Sequence, residues 1–172
     1  SNADVVVEAS YSNLETGQPA IDHVCTALKL QKHVVMANKG PVALAYAELQ
    51  ETARNADVQL RFEGSVMAGT PALQLAMEGL KGCTISEAQG ILNGTTNYML
   101  TRMEERLTYE QAFAEADELG YLEADPSVDV GGWDSAGKAL ILANVLFGKQ
   151  LQFNDLIVNG ITDLTAQDIQ LA

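Results

Sequence analysis

Cysteine, tryptophan and proline are scarce: two, one and four in 172 residues. Cys25 and Cys83 stand far apart, with no C-x-x-C pair and no Cys/His group at zinc-ligand spacing. A disulfide-stapled scaffold and a structural zinc site are therefore excluded. Both residues read as reduced thiols buried in a core, which fits a cytoplasmic protein. Basic residues are also few, 10 Lys and Arg against 23 Asp and Glu, for a net charge of -13. That balance argues against a nucleic-acid surface, which needs a Lys/Arg footprint, and against docking on anionic membranes. No apolar run approaches the roughly 18 residues of a membrane span, and no signal-peptide pattern precedes the first predicted strand. A last absence concerns nucleotide binding: no G-x-G-x-x-G occurs anywhere in the chain.

What is present is ordinary for a globular domain, with 47% hydrophobic and 19% charged residues. The β-branched run "DVVVEAS" (4–10) predicts a buried strand. Ile21, Val24, Cys25 and Leu28 then recur at helical spacing, and "HVVMA" (33–37) predicts a second buried strand. Strand, helix and strand in so short a span make a βαβ unit with parallel strands. A further helix follows from "NKGP", with Pro41 in its first turn, where a missing N–H costs nothing. Residues 4–55 thus read as half of a doubly wound nucleotide-binding sheet.

Residues 56–172 read as a separate α+β layer. "VQLRFEGSV" alternates like a strand, Thr70-Pro71 opens a helix, and "CTISEAQGIL" (83–92) predicts another strand. Asn93-Gly94 turns into a helix, and Thr108 with Gln111 predicts a capping box for the next, ending at Gly120. A helix through Lys138 stops at Gly148, and the tail "NDLIVNGITDLTAQDIQLA" predicts one more strand and a closing turn.

The stretch "GYLEADPSVDVGGWDSAGK" (120–138) concentrates the chemistry. Asp134 and Lys138 are i and i+4, so a helix places them on one face. Spacing alone allows a surface ion pair worth a few tenths of a kcal/mol, but the apolar "ALILANV" that follows predicts a largely buried helix. Glu123, Asp125 and Asp129, beside Pro126 and Gly131-Gly132, suit turn residues as well as a binding site. A calcium loop is excluded, because the acids do not follow D-x-[DN]-x-[DN]-G spacing. In "EGSVMAGT" (63–70), small residues expose carbonyls beside Glu63. Either a tight strand-to-helix turn or a hard-cation site accounts for them.

Several segments, in order, resemble the homoserine dehydrogenase family: "VVVEAS" with "NLETGQPA", "HVVMANKGPVALAYAEL", "FEGSVMAGTP", "GILNGTTNYMLTRM" and "LGYLEADPSVDVGGWDSAGKALILANV". Two positions depart from the family's pattern: Met36, where Thr is frequent, and Gly131, where an acid is common. The resemblance implies an α/β enzyme: part of a Rossmann-type NAD(P)-binding domain, then a mixed-sheet catalytic and dimerisation domain with helices on one face. With the missing glycine motif and a start so close to the first strand, it implies a fragment, inactive on its own. The implied reaction is NAD- or NADP-dependent interconversion of L-homoserine and L-aspartate 4-semialdehyde, in threonine and methionine biosynthesis.

The same resemblance implies residue roles. Lys138 is the proton-transfer lysine, a suitable group because a lysine in a drying cleft can have its pKa lowered towards the working pH. Glu123, Asp129 and Asp134 bind homoserine, whose ammonium requires a fixed anion. Lys39 lies where cofactor and substrate meet, while Ser10 and Tyr11 contact the nicotinamide half. Sodium is held by Glu63 and by carbonyls near Val66, Ala68 and Thr70. A homodimer is implied. Two rivals remain: a related amino-acid or semialdehyde dehydrogenase, and a non-catalytic dimerisation or ligand-binding module.

Overall fold

The computed structural model describes residues 2–122 and 125–171. They form two compact units, one of residues 1–88 with 137–155 and the other of 89–136 with 156–172. In the first, β1 (Val5–Glu8), α1 (Ala20–Lys29), β2 (His33–Met36), α2 (Lys39–Asn55) and β3 (Leu60–Arg61) build a three-stranded sheet in the order β1-β2-β3. Every pair is parallel, with Val6 opposite Val34 and Val34 opposite Leu60. The βαβ expectation therefore holds, and repeats once.

The strands alternate, and only one sheet face is covered. Val34, Met36 and Leu60 are buried against α1 and α2, whose Val24, Leu28 and Leu49 have no exposure at all. On the other face Val5, Val7 and Val35 are 49%, 71% and 43% exposed. The runs that predict strands buried on both sides are thus buried on one. Side chains at i and i+1 point to opposite faces, so the β-branched run says nothing about which face is covered.

Beyond β3 a 3₁₀ turn (Glu63–Ser65) leads to α3 (Ala72–Gln74), which continues as one π-helical turn, Leu75–Gly79. The second unit is helical: α4 (Gly94–Glu104), α5 (Tyr109–Glu118), α6 (Ser127–Val130) and α8 (Ala166–Leu171). Met99, Met103, Ala112, Ala116 and Val130 form its core, ringed by Phe113, Leu122, Leu164 and Ile169. The capping box is formed: Thr108 Oγ1 accepts from Gln111 N–H and the Gln111 side chain accepts from Thr108 N–H. Gly120 follows α5 with φ +73, the left-handed conformation that glycine takes at no steric cost. The helix α7 (Trp133–Leu146) runs through the division between the units.

Three further expectations fail. Residues 83–92 form no strand, and neither does the stretch between the 3₁₀ turn Phe153–Asp155 and α8, while the β1-β2-β3 sheet is parallel. β-branched composition is a local signal, whereas a strand exists only where a neighbour pairs with it. Residues 86–91 are exposed and adopt no regular element. The third concerns the thiols: Cys83 is exposed and Cys25 only partly buried. Burial and the nearby Glu48 carboxylate push the Cys25 thiol above its ordinary pKa, which keeps it protonated. Among the described residues, no helix is long and apolar enough to cross a membrane.

Candidate functional site

In the helical unit, two acids and one amide meet out of water. Asn93 is the N-cap of α4, and its Oδ1 accepts from Thr96 N–H at 2.8 Å and from Thr96 Oγ1 at 3.0 Å. The acceptor end is thereby committed to the helix, so the NH₂ must face the other way. There Nδ2 donates to Asp129 Oδ1 at 2.6 Å and to Asp134 Oδ2 at 3.0 Å. Asn93, Asp129 and Asp134 are only 6%, 7% and 7% exposed. Asp134 also lies in the first turn of α7, where the helix dipole favours a negative charge.

Asp129 lines a cavity of about 190 Å³, together with Thr96, Gly132, Ser135, Asn159 and Ile161. This is below the ~300–1,000 Å³ usual for drug-sized ligands and suits a molecule of few heavy atoms. Gly132 has φ +83, and a Cβ there would lie 2.9 Å from Asn159 O, so the wall closes only around glycine. Asp125 is a turn residue, accepting from Ser127 N–H at 3.1 Å and from Ser127 Oγ at 2.6 Å. Glu123 lies outside the described residues.

Lys138 follows Asp134 by four residues on α7 and is partly buried. Its helix is as buried as the sequence implies: Leu140 and Ile141 have no exposure. Gly137 packs on the loop after β1, where an added Cβ would sit 3.2 Å from Leu14 Cδ1.

At the carboxyl ends of β1 and β2 the loops are tied together. Glu8 is 5% exposed, and its Oε1 accepts from Ser10 N–H at 3.2 Å and from Ser10 Oγ. Asn38 caps α2, its Oδ1 accepting from Gly40 N–H at 3.0 Å. Asn38 Nδ2 donates to Ser10 O at 3.2 Å and Tyr11 O at 3.3 Å, while Lys39 N–H donates to Ser12 Oγ at 3.2 Å. A Cβ on Gly40 would be 2.6 Å from Asn13 O, so this approach requires glycine. The Tyr11 side chain is 81% exposed. Open α/β sheets bind ligands at this end of their strands.

Glu63 occupies the start of α3, with Oε1 accepting from Leu73 N–H at 2.9 Å and Oε2 from Gln74 N–H at 2.7 Å. Val66 is buried, Ala68 and Thr70 are exposed, and Thr70 O accepts from Ala72 N–H at 2.8 Å. Among the described residues, no group of three or more His, Cys, Asp or Glu converges as a metal site.

The structure thus brings Asp129 and Asp134 together and adds Asn93, which sequence reasoning reads as structural. Its signal is the helix-capping position, which fixes the amide's acceptor end. Its acid partners lie 36 and 41 residues further on, beyond any local pattern.

A parallel sheet with loops gathered at its carboxyl ends and a helical unit carrying a buried acid cluster define an α/β protein. A family model described as homoserine dehydrogenase matches residues 71–172. A homoserine dehydrogenase of Methanocaldococcus jannaschii is 50% identical over 99% of this chain and 51% of its own length. An NAD(+)-dependent homoserine dehydrogenase of Pseudomonas canavaninivorans is 46% identical over 99% of this chain and 48% of its own. Among solved structures, a homoserine dehydrogenase from Thiobacillus denitrificans superposes with a TM-score of 0.88 at 38% identity, over 98% of this chain and 38% of that one. A hyperthermophilic archaeal homoserine dehydrogenase mutant in complex with NADPH gives 0.83 at 34%, over 97% and 50%. The chain belongs to the homoserine dehydrogenase family. It spans about half the length of these curated relatives.

Proposed function

We propose that this chain serves an NAD(P)-dependent homoserine dehydrogenase, interconverting L-homoserine and L-aspartate 4-semialdehyde. The observation that carries the reading is the placing of Asp134 and Lys138 one turn apart on α7, with Asn93 linking Asp134 to Asp129 beside a small cavity. Oxidation of a primary alcohol needs an anion to hold the amino acid's ammonium and a base for the hydroxyl proton. Asp129, Asp134 and Glu123 supply the first, and Lys138 takes the proton. Lys39, at the amino end of α2, orients the homoserine oxygen and the nicotinamide, with Ser10 and Tyr11 on the cofactor side. Those loops suit the nicotinamide half chemically, presenting a serine hydroxyl and the N-terminus of α2 at the strand ends. When bound, the nicotinamide accepts the hydride. An NADPH-bound family member and an NAD(+)-dependent one support the cofactor class.

In the same reading, residues 4–55 are the later half of the nucleotide-binding domain and 56–172 the catalytic and dimerisation domain of a homodimer. Sodium would be held by Glu63 with the carbonyls of Val66, Ala68 and Thr70. The test is steady-state assay of the full-length protein with homoserine and NADP or NAD. Lys138→Ala should lower kcat by about 100- to 10,000-fold and leave NADPH affinity, read by fluorescence titration, nearly unchanged. A variant with kcat within tenfold of wild type would remove Lys138 from the chemistry, and a wild type inert towards homoserine would sink the assignment.

A further inference from the structure

The Asn93 side chain donates to both buried acids, Asp129 and Asp134. We infer that Asn93 is a positioning residue for recognition of the substrate's ammonium group, holding Asp129 and Asp134 as one receptor. This rests on the reading that those two acids bind homoserine.

Two carboxylates out of water repel each other, and each is costly to bury without hydrogen-bond donors. One Asn93 NH₂ answers both, a hydrogen to each acid, and so fixes their spacing and orientation without adding charge. A lysine in its place would neutralise one acid and weaken the attraction for a cation. Asn93 itself is immobilised from the other end. Its Oδ1 is held by both the main-chain N–H and the hydroxyl of Thr96, and a flipped amide would turn an oxygen onto two carboxylates. The first turn of α4 thereby sets the geometry of acids on α6 and α7. Thr96 and Asp129 both line the cavity of about 190 Å³, so the braced acid faces the space a small amino acid would occupy.

The cap and the donor roles separate by substitution. Asn93→Ser keeps a strong N-cap, since a serine hydroxyl also accepts from the third helical N–H, but removes the NH₂. In the full-length enzyme it should raise KM for homoserine about tenfold or more, the worth of a lost charge-assisted bond. NADPH affinity should stay within twofold. Discrimination between homoserine and 4-hydroxybutanoate, which lacks the ammonium, should narrow by a similar factor. In an Asp129→Asn background the added effect of Asn93→Ser should be markedly smaller, because one of the two acids it positions is already gone.

An unchanged homoserine KM in Asn93→Ser overturns the inference, as do effects that simply multiply in the double variant. A parallel loss of NADPH affinity and thermal stability assigns Asn93 to structure alone and overturns it equally. Failure of the underlying reading looks different: Asp134→Asn would then leave the homoserine KM untouched, and both would fall together.

Discussion

Asn93 and Asn144 are equally buried, each 6% exposed, and the chain divides between two units with one in each. They use the same amide in opposite ways. Asn144 spends both ends on a single residue of backbone: Nδ2 donates to Leu151 O at 3.0 Å and Oδ1 accepts from Leu151 N–H at 2.8 Å. It imitates a strand neighbour and holds the segment that follows α7. Asn93 gives only its oxygen to the backbone and its NH₂ to two side-chain acids. A buried amide closed on the main chain is architecture, whereas one that faces two carboxylates beside a cavity can prepare a ligand site. The acids repeat the contrast, since Glu63 gives an oxygen to each of two helix N–H groups, while Asp129 and Asp134 meet at a side chain.

The contrast breaks most visibly at Asn144. Asn144→Ala strands the N–H and C=O of Leu151 together and should cost about 2 kcal/mol of stability. A lowered denaturant midpoint at constant slope would report it, with the homoserine KM within twofold of wild type. A substantial rise in that KM would mean that Asn144 too serves the ligand, and the division between the two amides would be lost.

A smaller effect calibrates the cap. Thr108 does for α5 what the oxygen of Asn93 does for α4. Thr108→Ala should therefore cost about 1 kcal/mol and leave homoserine kinetics alone. Measured by thermal unfolding, it gives the worth of a cap alone, against which any stability loss at Asn93 can be set. A loss well above 2 kcal/mol would show that caps in this unit carry tertiary contacts as well.

Local devices were the legible part of this chain. The Thr108–Gln111 box, the Asn93-Gly94 helix start, Pro41 in the first turn of α2 and the parallel βαβ order all follow from spacings of a few residues. So does the sharing of α7 by Asp134 and Lys138. What the pattern could not carry is whatever depends on a partner distant in sequence. The 83–92 segment has strand composition but forms no strand. The Val5–Val7 run hides which sheet face is covered. Asp129, beside Pro126 and two glycines, resembles any turn acid until Asn93 arrives from 36 residues earlier. Glu63 is similar: composition allows a cation ligand, but its bonds to Leu73 and Gln74 N–H depend on where α3 begins.

The smallest expected effect lies at the other end of α4, where an acid is paired in view of solvent. Glu115 accepts from Arg102 Nε at 2.9 Å and from Tyr98 Oη at 2.9 Å, and these bonds, that of Arg102 foremost, hold its carboxyl below the ordinary value. A carboxyl depressed by folding takes up its proton less readily in the folded chain than in the unfolded one. Its contribution is whole above the unfolded value of about 4.3 and fades as pH falls through the lower folded one. Tyr98 runs the other way: loss of hydration, then the bond to Glu115, raises its phenol, so its contribution fades only in strong alkali. Neutral pH is therefore flat for both. The stability difference between wild type and Glu115→Gln, read as denaturant midpoints, should shrink steadily between about pH 5 and pH 3. Solvent screening keeps it small throughout, as for most exposed pairs. A difference that stays constant across that range would mean that Glu115 contributes packing and not charge, unlike the buried acids, whose proposed role in the site rests on charge.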